Sequence, residues 1–88
     1  MRLDKYLQLA GIIPRRTRAQ EACSRGYVGL NGRAAKPAAA VSVGDRITVR
    51  LGRRESTYEV LDLPTRPVPK DGRDGAARLV QSAIINED

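Results

Sequence analysis

The first ten residues of the chain have apolar side chains spaced at the period of an α-helix. Intervals of three and four residues put four of them on one helical face, namely Leu3, Tyr6, Leu7 and Ala10. Arg2 and Lys5 lie off this face. Gly11 follows, and glycine readily ends a helix in the left-handed conformation. The pattern predicts a first helix over residues 2–10.

A second, narrower helical stripe lies between Pro14 and Gly26. It consists of small residues at positions i, i+3 and i+4, namely Ala19, Ala22 and Cys23. Pro14 suits the start of a helix and Gly26 suits its end. The sequence therefore predicts a short second helix, with Ile12 and Ile13 filling the gap between the two helices.

After the second helix the apolar spacing changes to the alternation of β-strands. Val28 and Leu30 alternate, and Asn31-Gly32 predicts a tight hairpin because both residues tolerate positive φ. Three further segments have strand character: residues 33–36, residues 46–50 with Ile47 and Val49 inward, and residues 56–61 with Tyr58 and Val60 on one face. We therefore predict an α+β fold, in which two N-terminal helices pack on a small antiparallel sheet.

The last part of the chain has a less regular pattern. Pro64, Pro67 and Pro69 interrupt regular structure, and residues 70–75 are turn-like. Apolar residues between positions 76 and 85 predict a closing helix. The sequence therefore predicts two parts, a folded domain over residues 1–63 and a Pro-broken linker with a C-terminal helix over residues 64–88.

Positive charge is concentrated in the first part of the chain. The formal net charge is +6, from 16 Lys and Arg against 10 Asp and Glu, and residues 1–36 alone carry eight cations and two acids. Thirteen of the 16 cations are arginines, whose planar guanidinium groups bind phosphate in a bidentate manner. This asymmetry predicts binding to a polyanion, with an ordinary solvated basic surface as the alternative.

The candidate contact residues surround the start of the second helix, where backbone N–H groups and the helix dipole favour an anion. Four candidates open that helix: Arg15, Arg16, Thr17 and Arg18. Four more basic residues extend the predicted patch: Arg2, Lys5, Arg25 and Lys36. Asp4 and Glu21 are embedded among these cations, and we expect them to form ion pairs.

Catalytic and metal-binding chemistry has little support in the sequence. There is no His, Cys23 lies on the small-residue helix face, and no glycine-rich phosphate loop of Walker or Rossmann spacing occurs. We therefore expect no enzyme activity, no metal and no cofactor. With no long apolar run and no signal peptide, the sequence predicts a cytoplasmic protein that does not bind membranes.

RNA matches the predicted patch better than DNA does. The second helix is too short and small-sided to enter a major groove deeply, and no dimerising repeat sets a half-site spacing. Structured RNA is bound through phosphates, 2′-hydroxyls and shape, which suits a compact arginine patch. The only aromatic residues are three tyrosines, which disfavours a stacking platform for single strands. The sequence therefore predicts binding to folded RNA.

Four short motifs, in their order and spacing, resemble the S-four-type (alpha-L) RNA-binding domain, a family named for a small-subunit ribosomal protein. They are Arg2-Leu3-Asp4-Lys5-Tyr6-Leu7, Arg16-Thr17-Arg18-Ala19, Gly26-Tyr27-Val28-Gly29-Leu30-Asn31-Gly32 and Val43-Gly44-Asp45. The family commonly has Ser where this chain has Arg15, so a helix cap is lost and a cation is gained. The resemblance implies that Arg2 and Arg16 are the leading RNA contacts, with Asp4 orienting Arg2 or contacting a partner.

Among members of this family, the chain most resembles short ones that act in bacterial ribosome quality control. That resemblance implies binding to obstructed large ribosomal subunits, with contacts to large-subunit rRNA and peptidyl-tRNA. It also implies a partner protein that adds C-terminal alanine tails to the stalled nascent chain. Small heat-shock members, which act on blocked large subunits, are the alternative. An RNA-docking subunit of a modification enzyme and a structural ribosomal protein are two further alternatives.

Overall fold

The computed structural model describes residues 1–66 and 76–84. They form two helices, α1 (Leu3–Leu9) and α2 (Arg16–Ser24). They also form five strands: β1 (Val28–Leu30), β2 (Arg33–Ala34), β3 (Arg46–Leu51), β4 (Arg54–Val60) and β5 (Ala77–Ile84). All strand pairs are antiparallel, and the order across the sheet is β2-β1-β3-β4-β5. The α+β fold predicted from the sequence is confirmed.

The two helices bury the apolar faces that their sequence periods predict. The buried residues of these faces are Leu3, Tyr6, Leu7, Ala10, Ala19, Ala22 and Cys23. Ile13 joins the same core, and Ile12 packs against it from a partly buried position. Gly11 and Gly26 follow the helices with φ of +78° and +79°, the left-handed conformation that ends a helix with little strain in glycine. The predicted helices and their ends are therefore confirmed.

Residues 37–40 pair with the beginning of α1. The N–H groups of Leu3 and Asp4 donate hydrogen bonds to the carbonyls of Ala39 and Pro37, at 2.9 and 3.1 Å. Arg2 also forms an antiparallel bridge with Ala40. The first N–H groups of a helix have no partner within the helix, and no side chain caps α1. The carbonyls of Ala39 and Pro37 accept hydrogen bonds from two of these N–H groups.

The predicted hairpin at Asn31-Gly32 is confirmed. Asn31 and Gly32 have φ of +53° and +87°, and they join Leu30 to its cross-strand partner Arg33. Asn31 also ties this turn to the start of β3, because its side chain accepts a hydrogen bond from the Arg46 N–H and donates one to Asp45. The return strand is shorter than predicted, covering residues 33–34 only.

The inward side of the sheet follows the predicted alternation. Val28 lies opposite Val49 and Leu30 lies opposite Ile47, so these side chains meet on the face that the helices cover. Val60 is buried on β4. The middle strands and the two helices therefore enclose one hydrophobic core, with α1 and α2 packed on one face of the sheet.

The helix predicted over residues 76–85 is wrong for residues 77–84, which form β5; Ile85 lies outside the described residues. Only Ala77 of this strand is buried, and the remaining seven residues are exposed. A helix with an apolar stripe needs a core surface to cover, whereas a strand here satisfies the backbone groups along the outer edge of β4. The predicted boundary after residue 63 stays a prediction, although β5 extends the same sheet.

Tyr6 connects α1 to the beginning of β5. Its hydroxyl donates a 2.6 Å hydrogen bond to the carbonyl of Ala76, and the Tyr6 side chain is fully buried. Burial, together with the nearby negative charge of Asp62, raises the pKa of Tyr6 to about 12, so the hydroxyl remains a donor at neutral pH. The same carbonyl accepts hydrogen bonds from the N–H groups of Leu61 and Asp62.

Replacing Tyr6 with Phe should therefore destabilise the fold without leaving an unpaired buried carbonyl. We expect Tyr6→Phe to lower the free energy of unfolding by about 0.5–1.5 kcal/mol, the usual net value of one hydrogen bond. Urea denaturation followed by circular dichroism measures the change. Tyr27→Phe is the matched control, because Tyr27 is 44% exposed, and it should change stability by less than about 0.5 kcal/mol. Equal effects of the two substitutions would contradict this assignment.

Candidate nucleic-acid interface

A buried carboxylate lies where α1 and α2 meet. Asp4 has a fully buried side chain, and donors from four residues surround it. Arg2 donates from Nε and Nη2 at 3.2 and 3.3 Å, the Lys5 N–H donates at 2.8 Å, and Gln20 Nε2 donates at 3.0 Å. Arg16 Nε lies 3.5 Å from the second carboxylate oxygen. We call Asp4, Arg2, Arg16 and Gln20 the Asp4 cluster.

The Asp4 carboxylate stays ionised in this environment. Burial alone would raise its pKa, and this is the largest single effect. The hydrogen bonds from Gln20, Arg2 and the Lys5 N–H, with the charge of Arg16, outweigh burial together and hold the pKa of Asp4 below its ordinary value. The carboxylate therefore carries a full negative charge at neutral pH and attracts both arginines.

Helical spacing explains how the sequence builds this cluster. Asp4 lies in the first turn of α1, where an acidic side chain is favourable. Arg16 and Gln20 are separated by four residues on α2, so both point from the same side of that helix toward Asp4. The side chains of Arg2 and Arg16 remain 52% and 40% exposed. Their guanidinium groups are thus bound to the buried Asp4 carboxylate and are still accessible to a ligand from solvent.

The other predicted contact residues differ in how close they lie to this cluster. Lys5, Thr17 and Lys36 are all exposed. The Lys5 backbone N–H contacts Asp4 directly, and Lys36 precedes Pro37, whose carbonyl binds the Asp4 N–H. Arg15 is the N-cap of α2 and makes no capping hydrogen bond with its side chain, as its replacement of a capping Ser predicts.

Arg15, Arg18 and Arg25 lie on another side of α2. Because each helical residue turns by about 100°, Arg18 lies about 200° around the helix from Arg16. Arg15 and Arg18 line one surface pocket, and Arg18 and Arg25 line a neighbouring pocket. Arg25 forms a 2.7 Å ion pair with Glu21, which confirms the expected pairing of that acid. The structure therefore divides the predicted arginines into two groups, and their contact with RNA stays a prediction.

Gln20 is a member of the Asp4 cluster that sequence reasoning missed. A neutral amide carries no charge signal, so it is not conspicuous in a search for basic residues. Its spacing from Arg16, four positions along the same helix, is the signal from which it could have been found.

Cys23 is buried, as its position on the small-residue face predicts. Burial, and to a lesser degree the negative charge of Asp4, raises the pKa of its thiol to about 11. The thiol is therefore protonated at neutral pH, whereas a nucleophilic cysteine needs the thiolate form.

Two of the quoted motifs have a structural role. Asp45 accepts a hydrogen bond from the Asn31 side chain at 3.1 Å and another from the Ser42 N–H at 2.8 Å. The N–H of Gly44 donates to the Val60 carbonyl, and the Val60 N–H donates to the Asp45 carbonyl. The hairpin and the turn at residues 43–45 therefore hold the ends of β1, β3 and β4 together.

A fold with two short helices on an antiparallel sheet, and with arginines at the helix junction, defines a small RNA-binding module. The family model of the S4 domain matches residues 1–47, which include all four motifs. The chain belongs to the S4-domain family, which is the S-four-type family of RNA-binding proteins. No helix among the described residues has the length and apolar character needed to cross a membrane.

Within this family, the chain is similar to proteins named RQC P-site tRNA stabilizing factor. The Bacillus subtilis protein is 43% identical over 63 residues, which cover 72% of this chain and 73% of that protein. The Streptococcus pneumoniae protein is 32% identical over 87 residues, covering 99% and 98%. Among solved structures, the trimeric Heat Shock Protein 15 of Vibrio cholerae superposes with a TM-score of 0.84 at 30% identity, covering 91% of this chain and 81% of that one.

Removing the charge of Asp4 should destabilise the protein in a pH-dependent way. We expect Asp4→Asn to lower the free energy of unfolding by about 1–3 kcal/mol at pH 7, because hydrogen bonds to a charged group are lost. Since the folded pKa of Asp4 lies below its ordinary value of 3.8, the contribution is complete above that value and is lost as pH falls through the folded pKa.

Urea denaturation at pH 7 and at pH 3 measures both effects. The difference in stability between wild type and Asp4→Asn should shrink at the lower pH. Glu55→Gln removes an exposed carboxylate on β4 and should change stability by less than about 0.5 kcal/mol. A difference between wild type and Asp4→Asn that grows toward low pH would contradict the assigned direction.

Proposed function

We propose that this protein binds structured RNA of the large ribosomal subunit, together with peptidyl-tRNA, in ribosome-associated quality control. The observation that carries the proposal is the Asp4 cluster, in which a buried carboxylate holds the Arg2 and Arg16 guanidinium groups at the surface. Lys5 follows Asp4 in the chain, and Lys36 precedes Pro37, whose carbonyl binds the Asp4 N–H; both lysines are exposed and add positive charge. These groups are the proposed phosphate contacts.

Arg2 and Arg16 are better phosphate ligands because Asp4 restricts their side chains before any RNA binds. A free arginine side chain loses much rotamer freedom when it binds, and that loss weakens the complex. In the Asp4 cluster, Arg2 already uses two nitrogens on Asp4, and its side chain is still 52% exposed. Two cations share one buried carboxylate, so a net positive charge remains for the RNA backbone.

The names of the relatives support the particular RNA target. Several relatives at 32–43% identity are named for stabilising P-site tRNA, and the similarity to the Streptococcus pneumoniae protein extends over nearly the whole chain. For this chain we infer the same class of target, with the protein holding peptidyl-tRNA on an obstructed large subunit while a partner factor adds alanine tails. This function requires cytoplasmic ribosomes and no catalytic group in this chain.

A second candidate function is recycling of blocked large subunits, in the manner of small heat-shock members of the family. The similarity in fold to Heat Shock Protein 15 favours it. A reconstituted alanine-tailing reaction on stalled large subunits separates the two functions. Tails that depend on this protein support the quality control function, whereas unchanged tailing with faster release of free subunits supports the alternative.

Removing Arg16 should weaken RNA binding by an amount that depends on salt. We expect Arg16→Ala to reduce the slope of log affinity against log salt concentration by about one, because one phosphate contact is lost. Filter binding or fluorescence anisotropy with large-subunit rRNA fragments over a salt series measures the slope.

Arg53→Ala is the matched control, since Arg53 is exposed in the turn between β3 and β4 and its removal subtracts the same charge. Its slope should stay that of wild type. Sedimentation of lysate under stalling conditions provides a second measurement, in which wild type should be found with the large subunits. Absence from those fractions, or equal slopes for Arg16→Ala and wild type, would contradict the proposal.

A further inference from the structure

Three neighbouring shallow pockets, each of about 340 Å³, follow one another from the start of α2 to the outer face of the sheet. The first and second pockets share Arg18 and Ala22, and the second and third share Tyr27. We call this surface the Tyr27 groove. Its cationic and aromatic lining residues are Arg15, Arg18, Arg25, Tyr27, Arg33 and Arg50.

The Tyr27 groove is separate from the Asp4 cluster. None of the four residues of the Asp4 cluster lines any of the three pockets. On α2, Arg16 points toward α1, whereas Arg18 lies about 200° around the helix from it. A ligand in the Tyr27 groove therefore contacts a different side of the protein.

The charge of the groove favours an anion. Five arginines line it, against two carboxylates, Glu21 and Glu55. The pair between Glu21 and Arg25 is 2.7 Å long, but both side chains are more than half exposed, at 57% and 61%. Exposed pairs of this kind contribute little stability, so a phosphate competes with Glu21 for Arg25 at small cost.

Tyr27 offers an aromatic ring at the point where two of the pockets meet. It is 44% exposed, the largest exposure that an aromatic side chain reaches in the described residues. Its backbone is fixed on both sides, because its N–H donates to the Ala22 carbonyl and its carbonyl accepts from the Arg50 N–H. The backbone of Tyr27 is therefore fixed where the pocket that Arg25 lines meets the pocket that Arg33 lines.

The floor of the third pocket suits a flat group. Gly26, Gly29 and Gly32 line it and contribute no side chains. A Cβ at Gly29 would lie 3.3 Å from the Arg33 carbonyl oxygen, so a larger residue there would crowd the hairpin. Three of the residues that line this pocket with Tyr27 therefore carry no side chain that would obstruct a base.

We propose that the Tyr27 groove binds one unpaired nucleotide of a folded RNA. The base stacks on Tyr27, and the phosphates on its two sides lie near Arg25 and Arg33. Stacking on an aromatic ring between cationic side chains is a common way to bind unpaired RNA. A single ring fits a single base, which agrees with the scarcity of aromatic residues in the sequence. The inference rests on the RNA-binding function proposed above and adds a second contact to it.

A matched pair of RNA hairpins tests this proposal on the full chain. One hairpin carries a single bulged 2-aminopurine nucleotide, and the other has the same stem without the bulge. We expect wild type to bind the bulged hairpin at least about fivefold more tightly and to change the 2-aminopurine fluorescence as the base moves onto the ring. Tyr27→Leu should remove both effects and keep the affinity for the plain hairpin, whereas Tyr27→Phe should retain them.

Arginine variants provide an independent measurement. Arg33→Ala should weaken binding of the bulged hairpin and lower its salt slope by about one, whereas Arg53→Ala, outside the groove, should do neither. Equal affinity of wild type for the two hairpins, or a preference that survives Tyr27→Leu, overturns the proposal and leaves binding at the Asp4 cluster intact. Failure of wild type to bind either hairpin contradicts the RNA-binding function itself and this inference with it.

Discussion

The N-terminal half of this protein depends on one buried carboxylate. A charge removed from water is tolerated only where hydrogen bonds and opposite charges replace its hydration. Asp4 meets that condition with donors from α1, from α2 and from the residue that precedes α1. The donors on α2, Arg16 and Gln20, reach Asp4 only when the two helices lie in their native arrangement. The requirement to satisfy Asp4 therefore fixes how the helices pack, and it fixes the positions of Arg2 and Arg16 as well.

A second carboxylate has a comparable role in the sheet. Asp45 joins Asn31 of the hairpin to the Ser42 N–H, and its carbonyl binds the N–H of Val60 at the end of β4. Unlike Asp4, which holds arginines, Asp45 holds backbone turns. The motifs typical of the family therefore serve two purposes. Those on α1 and α2 position cations, whereas those in the hairpin and the following turn hold the sheet on which the helices rest.

The elements that could be predicted from the sequence are those whose structure is set by residues close to one another in the chain. The helical period of α1, the small residues of α2 and the Asn31-Gly32 turn each specify their structure within a few neighbours. The strand β5 was missed because its form is set by the open edge of β4, whose paired residues lie 17 to 30 positions away in the chain. Gln20 and the carbonyls of residues 37–39 were missed for a related reason. Their partners are an aspartate and a helix start that the fold alone brings near them.

The position of each arginine on α2 matters more than their number. Arg16 lies on the side that faces Asp4, and Arg15, Arg18 and Arg25 follow one another at intervals that keep them on another side. Moving Arg16 by a single position would turn its side chain by about 100° and separate it from the carboxylate, although the net charge would be unchanged. A search for basic runs cannot distinguish these cases. The nine-residue helix α2, with the residues that flank it, carries arginines on two sides, Arg16 on one and the other three on the other. This small domain therefore has the geometry to contact two segments of one folded RNA.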